Sequence, residues 1–189
     1  VLSDLHLEFA DFEPDFTALS LADVVVLPGD IDVGVAGIEW AARAFAGKPV
    51  IYVCGNHEFY GQHWRTHLRT MAVAARRSSI LFLEDSSAVV AGVRFLGSSL
   101  WTNFCLYGRA RQRMSMKLYQ AASNDCRRIS ASTTEEPVAM LTPAHVLERH
   151  ITSRRWLESE LATSFSGKTV VVSHHAPTRR SVALKYQSD

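Results

Sequence analysis

Apolar and polar positions along the chain follow two rhythms. Short, nearly all-apolar runs stand at Val24-Val25-Val26-Leu27, Val50-Ile51-Tyr52-Val53 and Val170-Val171-Val172, as expected of strands buried on both faces. Val1-Leu2 reads as the tail of a fourth. Helix-period segments lie between these runs. Ile38, Ala41, Ala42 and Phe45 recur at i, i+3, i+4 and i+7, and Gly47 follows as a stop. Trp64, Leu68, Met71 and Ala75 make a second stripe, with Arg65, Arg69 and Arg76 directed away from it. Thr142-Pro143 announces a third helix, an N-cap followed by proline at the first helical position, running to about Phe165. Its apolar pairs, Leu147 with Ile151 and Leu157 with Leu161, do not share a face, so a bend or break is expected between them.

The middle of the chain changes character. Ile80-Leu81-Phe82-Leu83 and then Ala88 to Leu100, broken at Gly92, predict consecutive antiparallel strands joined by tight turns. A chain that opens β-α-β, passes through a meander and returns to strands implies an α/β fold. The expected architecture is a two-sheet sandwich flanked by helices. Ser123 to Leu141, polar and rich in Ser and Thr, is expected to be a long loop.

Composition narrows the class of protein. With 189 residues, 47% of them hydrophobic, the chain has material for one packed domain, 1–189, and is not disordered. A net charge of +1 counts against a broad nucleic-acid track or a membrane-surface binder. No apolar run approaches the ~20 residues of a membrane span. Cys54, Cys105 and Cys126 are far apart and lack C-x-x-C spacing. They predict a reducing, cytoplasmic setting and no zinc ribbon.

Candidate chemistry gathers where the apolar runs end, the edge at which open α/β sheets bind ligands. The endings are Asp4-Leu5-His6, Gly29-Asp30, Gly55-Asn56-His57-Glu58 and His174-His175. Mixed oxygen and nitrogen donors suit Mn, Zn or Fe better than calcium, which prefers oxygen alone. Strand periodicity of two would put Asp4 and His6 on one face, where they can grip one ion. Gly29 permits a sharp turn that frees Asp30 to offer two oxygens to two ions. Asn56 adds a ligand without adding charge against an anionic substrate, and Gly55 serves it as Gly29 serves Asp30.

In order and spacing these segments resemble the calcineurin-like metallophosphoesterases, whose pattern is D-x-H, G-D, G-N-H-[DE], a later strand-end His, and G-H-x-H. Gly97-Ser98-Ser99-Leu100-Trp101-Thr102 is similar to small bacterial-type members. The resemblance implies that Asp4, His6 and Asp30 hold one divalent metal ion and that Asp30, Asn56 and His174 hold a second. Asp30 is then the bridge. It also implies hydrolysis of a phosphomonoester or phosphodiester by a metal-bridging hydroxide, with His57 facing the substrate as the catalytic acid. The last motif departs from the pattern: no Gly-His-x-His follows His175. That motif gives each metal one more His, so the expectation is a metallophosphoesterase-like domain truncated at the C-terminus and incomplete at both ends. A family member depleted of metal and acting as a protein-binding scaffold is the alternative, and intact His57 argues against it. A nuclease for long nucleic acid is the third reading, disfavoured by the charge.

Other polar residues carry plainer readings. Glu58 either supports an imidazole or is a helix-start acid. Asp32 is read as a loop or helix-start residue, His67 as a partly buried histidine, and His145 and His150 as surface residues. Arg109, Arg111, Arg113 and Lys117 are read as a solvated helix face. His175, Arg179 and Arg180 are candidates for substrate contact, and Cys54 for an inert core residue. The expected substrate is a small phosphate ester.

Overall fold

A computed structural model of the chain describes residues 1–131 and 139–184. In chain order its elements are α1 (Phe16–Ser20), β1 (Val25–Leu27), α2 (Ala36–Ala44), β2 (Val50–Tyr52), α3 (His67–Arg77) and β3 (Leu81–Phe82). There follow β4 (Ser86–Val90), β5 (Val93–Ser98), α4 (Gln112–Ala122), α5 (Asp125–Arg128), α6 (Pro143–Ala162) and β6 (Lys168–Ser173). One sheet has the order β1-β2-β3, all parallel; the other is β4-β5-β6, antiparallel then parallel.

Alternation along the strands builds the layers. Val25, Leu27 and Tyr52 pack with Ile38 and Ala41 of α2 and Met71 and Ala75 of α3. Val26, Ile51 and Val53 point the other way, with Leu83, and meet Phe95 and Val172 of the second sheet. Leu96 and Leu100 then pack on Leu157 and Trp156 of α6. The fold is therefore a two-sheet sandwich flanked by helices. Full burial of a residue such as Leu27, with no exposed surface, stabilises by about 1.5–3 kcal/mol.

Several expected elements take a different form. Val1-Leu2 is not a regular strand, although Leu2 N–H bonds the Val26 carbonyl beside β1. The Ile80–Leu83 run does not pair antiparallel with the strand after it. Its β3 segment lies parallel to β2, with Leu81 opposite Ile51; α3 supplies the crossover that a parallel pair requires. The hairpin is β4-β5 alone, turning at Ala91 and Gly92, whose φ values of 48° and 77° suit a tight primed turn. The second stripe begins before its helix, since Trp64 lies ahead of His67, where α3 starts.

The third helix is continuous over its 20 residues and ends at Ala162. It needs no bend because its buried positions are Pro143, Val146, Ser153 and Leu157, while Ile151 and Leu161 are exposed. Thr142 caps it as expected, accepting from His145 N–H, and the His145 Nδ1 accepts the Thr142 N–H in return. His145 is thus part of a cap. The expected loop from Ser123 contains α5, and Ser130 bridges both His63 and Met140. Its stretch 132–138 lies outside the described residues. Among the described residues no helix is long and apolar enough to cross a membrane.

Candidate metal centre

The C-terminal ends of β1, β2 and β6 open onto one crevice, and the N-terminal segment runs across it. That segment is not an extended strand end. Asp4 and His6 have φ values of 55° and 50°, and Asp30 has 53°. Left-handed backbone at non-glycine residues costs roughly 1–2 kcal/mol each and gathers at functional sites. The segment is tied down by Asp4 N–H to the Gly29 carbonyl (3.1 Å) and His6 N–H to the Asp30 carbonyl (3.1 Å). Asp4 and His6 therefore reach the crevice through kinked backbone, not through strand alternation.

Asp30 is nearly buried, and its Oδ1 accepts the His57 backbone N–H at 2.9 Å. Its Oδ2 stands 3.6 Å from His174 Nε2 and 3.9 Å from His6 Nε2. These separations exceed a hydrogen bond and suit donors arranged around shared cations. Two groups come together, Asp4-Asp30-His174 and His6-Asp30-His57, each with ligand atoms within 4.8 Å of one another. Asp30 belongs to both. The Asn56 Oδ1 lies 3.3 Å from His174 Nε2 and joins the first group. Asp4 thus lies beside His174 in one group, and His6 beside His57 in the other. Carboxylates, imidazoles and one amide converging in this way fit borderline divalent ions.

Tautomers follow from the partners. His174 Nδ1 lies 2.9 Å from the Pro28 carbonyl, which can only accept, so Nδ1 carries the proton and Nε2 is left as a ligand atom. Asn56 is oriented likewise. Its Nδ2 donates to the Tyr60 hydroxyl (3.1 Å) and to Asp125 Oδ1 (3.0 Å), which leaves Oδ1 toward His174. Asp125 also accepts from the hydroxyls of Tyr60 (2.9 Å) and Tyr119 (2.5 Å). Burial and the Asp125 charge push both phenols far above their usual range, so both remain donors.

Glu58 has no exposed surface, and among the described residues its carboxylate bonds no imidazole. Its carboxylate accepts from the backbone N–H groups of Asp30 (3.1 Å), Ile31 (3.0 Å) and Gly55 (2.8 Å), and from the Tyr52 hydroxyl (2.8 Å). It pins together the two loops that carry Asp30 and Asn56. Burial raises its pKa, and the neighbouring Asp30 charge adds to the effect. Gly29 and Gly55 let those loops approach. A Cβ on Gly29 would lie 2.3 Å from Gly55 N, and one on Gly55 would lie 2.1 Å from Asp30 Oδ1. Gly29 also needs its φ of 86°, whereas Gly55 is required for space.

His57 is half-buried, its ring 4.3 Å from those of both His6 and Tyr60. Its Nδ1 lies 2.5 Å from Glu8 Oε1. Burial is the largest single influence and works to raise Glu8, but the bond and charge of His57, a backbone bond and the contact with His6 together outweigh it, and the carboxyl falls below its usual range. His175 stacks on Trp101 at 4.9 Å and bonds the Ser99 carbonyl through Nδ1 (3.0 Å). Burial, then the adjacent His174, push it down to about 4. It is a neutral wall of a cavity of about 390 Å³ that Trp101, Pro177 and Arg179 also line. Arg180 is exposed on the same turn, and the Arg109–Lys117 stretch is an exposed helix face. Cys54 is fully buried behind the site, and burial raises its thiol well above the usual range.

Sequence reasoning missed Glu8, Asp125 and Tyr119. For Glu8 a signal existed, the alternation Asp4-x-His6-x-Glu8. Asp125 and Tyr119 lie far along the chain from Asn56 and carry none.

A helix-flanked double sheet whose strand ends gather carboxylates, imidazoles and an amide defines a metal-dependent hydrolase of phosphoric esters. The chain belongs to the calcineurin-like phosphoesterase family, whose model matches residues 1–188. Its fold is shared by the crystal structure of the phosphopantetheinyl hydrolase of Mycobacterium tuberculosis. The TM-score is 0.63 at 17% identity, over 95% of this chain and 68% of that one. A search of curated protein sequences finds no match.

Proposed function

We propose that this phosphoesterase hydrolyses a small phosphomonoester or phosphodiester by a dinuclear mechanism with Mn, Fe or Zn. The observation that carries the reading is Asp30 Oδ2, set between His6 Nε2 and His174 Nε2 at distances too long for hydrogen bonds. Asp4, His6, Asp30, Asn56 and His174 would hold the ions. When bound, two divalent ions supply an activated water near neutral pH and positive charge for the phosphate oxygens. Asn56 places its oxygen without adding negative charge, and Asp125 with Tyr60 keeps that oxygen aimed. His57, beside His6 at the crevice, donates a proton to the leaving alkoxide. Arg179, which lines the cavity beside His175, and the exposed Arg180 next to it would offer positive charge to the rest of the ester.

Elemental analysis of the folded chain tests this, with p-nitrophenyl phosphate and bis-p-nitrophenyl phosphate as monoester and diester probes. Two ions in the parent, fewer in Asp30→Asn, and loss of turnover in that variant are expected. His57→Ala should keep its ions and lose more rate on poor leaving groups than on good ones. One ion or none in an inactive parent would favour a docking role instead.

A further inference from the structure

Glu8 is the carboxylate nearest the catalytic imidazole, and none of the roles above uses it. Its Oε1 lies 2.5 Å from His57 Nδ1 and 3.4 Å from His6 Nδ1, and those two nitrogens are 3.2 Å apart. One oxygen thus faces two imidazoles. Its Oε2 is buried and, among the described residues, makes no hydrogen bond. A half-paired carboxylate away from water is costly. A loop acid with no task would be more stable turned to solvent, so its place against His57 calls for an explanation.

The chemistry of the contact supplies one. An ionised carboxylate only accepts, so His57, 2.5 Å from Oε1, bonds it through a protonated Nδ1. That leaves His57 Nε2 to face the substrate, and the imidazole gives a proton to the leaving alkoxide from there only in its doubly protonated form. Carboxylates behind imidazoles orient them and select their tautomer in metal sites and in hydrolytic triads alike. The Phe9 ring, 6.0 Å from that of His6 and 6.3 Å from that of His57, flanks the pair.

We propose that Glu8 is a positioning residue, whose Oε1 holds His57 with Nδ1 protonated and Nε2 turned to the substrate. This rests on the phosphoesterase reading for its catalytic consequence, but the tautomer lock can be measured without turnover.

The experiment uses the zinc-loaded chain, labelled with ¹⁵N, in long-range ¹H–¹⁵N correlation spectra of its imidazoles, which report the proton on each ring nitrogen separately. His57, assigned by its absence from spectra of His57→Ala, should show a protonated Nδ1 in the parent. It should lose that pattern in Glu8→Ala and keep it in part in Glu8→Gln, which retains an acceptor oxygen. Turnover in Glu8→Ala should fall about 10- to 100-fold, the range for partners standing behind site residues, through kcat more than KM. Glu8→Gln should recover part of the loss. The double variant Glu8→Ala/His57→Ala should be no slower than His57→Ala alone. A parent His57 without a proton on Nδ1, or an unchanged pattern in Glu8→Ala, overturns the lock. Additive losses in the double variant overturn action through His57. A parent that shows the lock but cleaves neither probe ester upholds the positioning and overturns the phosphoesterase reading.

Discussion

Glu58 joins the loop after β1 to the loop after β2, and the consequence of loosening it can be worked from its four bonds. Oε1 takes the Ile31 N–H and the Tyr52 hydroxyl; Oε2 takes the N–H groups of Asp30 and Gly55. Glutamine has the same shape but a single oxygen. Its best placement sets that oxygen on Asp30 and Gly55 and turns the amide NH2 to the Tyr52 hydroxyl, which can rotate to accept. The Ile31 N–H is then left without a partner, at a cost of about 1–3 kcal/mol. Relief of the buried charge, whose pKa burial and Asp30 already raise, moves the expected value toward the lower end. For a chain of this size each kcal/mol is worth about 2–4 °C, so Glu58→Gln should unfold roughly 2–12 °C lower. Glu58→Ala strands all four donors, a loss that rivals the 5–15 kcal/mol of a typical domain, and should not fold stably. The assay is thermal unfolding by circular dichroism with a chelator present, so that metal binding does not enter. An unchanged or higher midpoint for Glu58→Gln would refute the reasoning, because the buried charge would then cost more than its bonds return.

Other outcomes follow from neighbouring contacts. Gly29→Ala sets a Cβ 2.3 Å from the Gly55 nitrogen at a φ of 86°; clash and left-handed backbone together should cost about 2–5 kcal/mol, read as a lower denaturation midpoint. Tyr119→Phe removes the hydroxyl that holds Asp125 behind Asn56 and should weaken binding of one ion about 10-fold, measured by metal titration. Burial lowers His150, which bonds the Leu100 carbonyl. Below about pH 6.5 the unfolded chain therefore takes up a proton that the folded chain resists. Stability should decline as pH falls from about 7 to about 5, and His150→Gln should flatten that decline in urea melts; parallel slopes for the two proteins would exclude the effect.

Much of this protein is legible in its order of residues. Two buried strands, β1 and β2, the Thr142-Pro143 cap and the hairpin break at Gly92 follow from local periodicity and backbone chemistry, which act over a few neighbours; β6 forms where Val170-Val171-Val172 predicts a strand, but Val170 and Val171 are exposed and the expectation of burial on both faces fails there. The candidate ligands were legible for a related reason: apolar runs that end in Asp, His or Asn deliver those groups to one edge of a sheet. Tertiary structure decided what depends on distant partners. Ile80–Leu83 is equally apolar for either neighbour, and only the α3 crossover selects the parallel pairing with β2. Asp4 and His6 look like alternating strand residues, yet bonds to the Gly29 and Asp30 carbonyls hold them in left-handed backbone. Glu58 could serve an imidazole or a helix end as judged from its neighbours in sequence, but three N–H groups from two loops surround it. Asp125 stands behind Asn56 across 69 positions of chain. Short-range sterics and hydrophobic spacing are written into sequence. A hydrogen-bond acceptor's partners are not, because folding selects them from the whole chain.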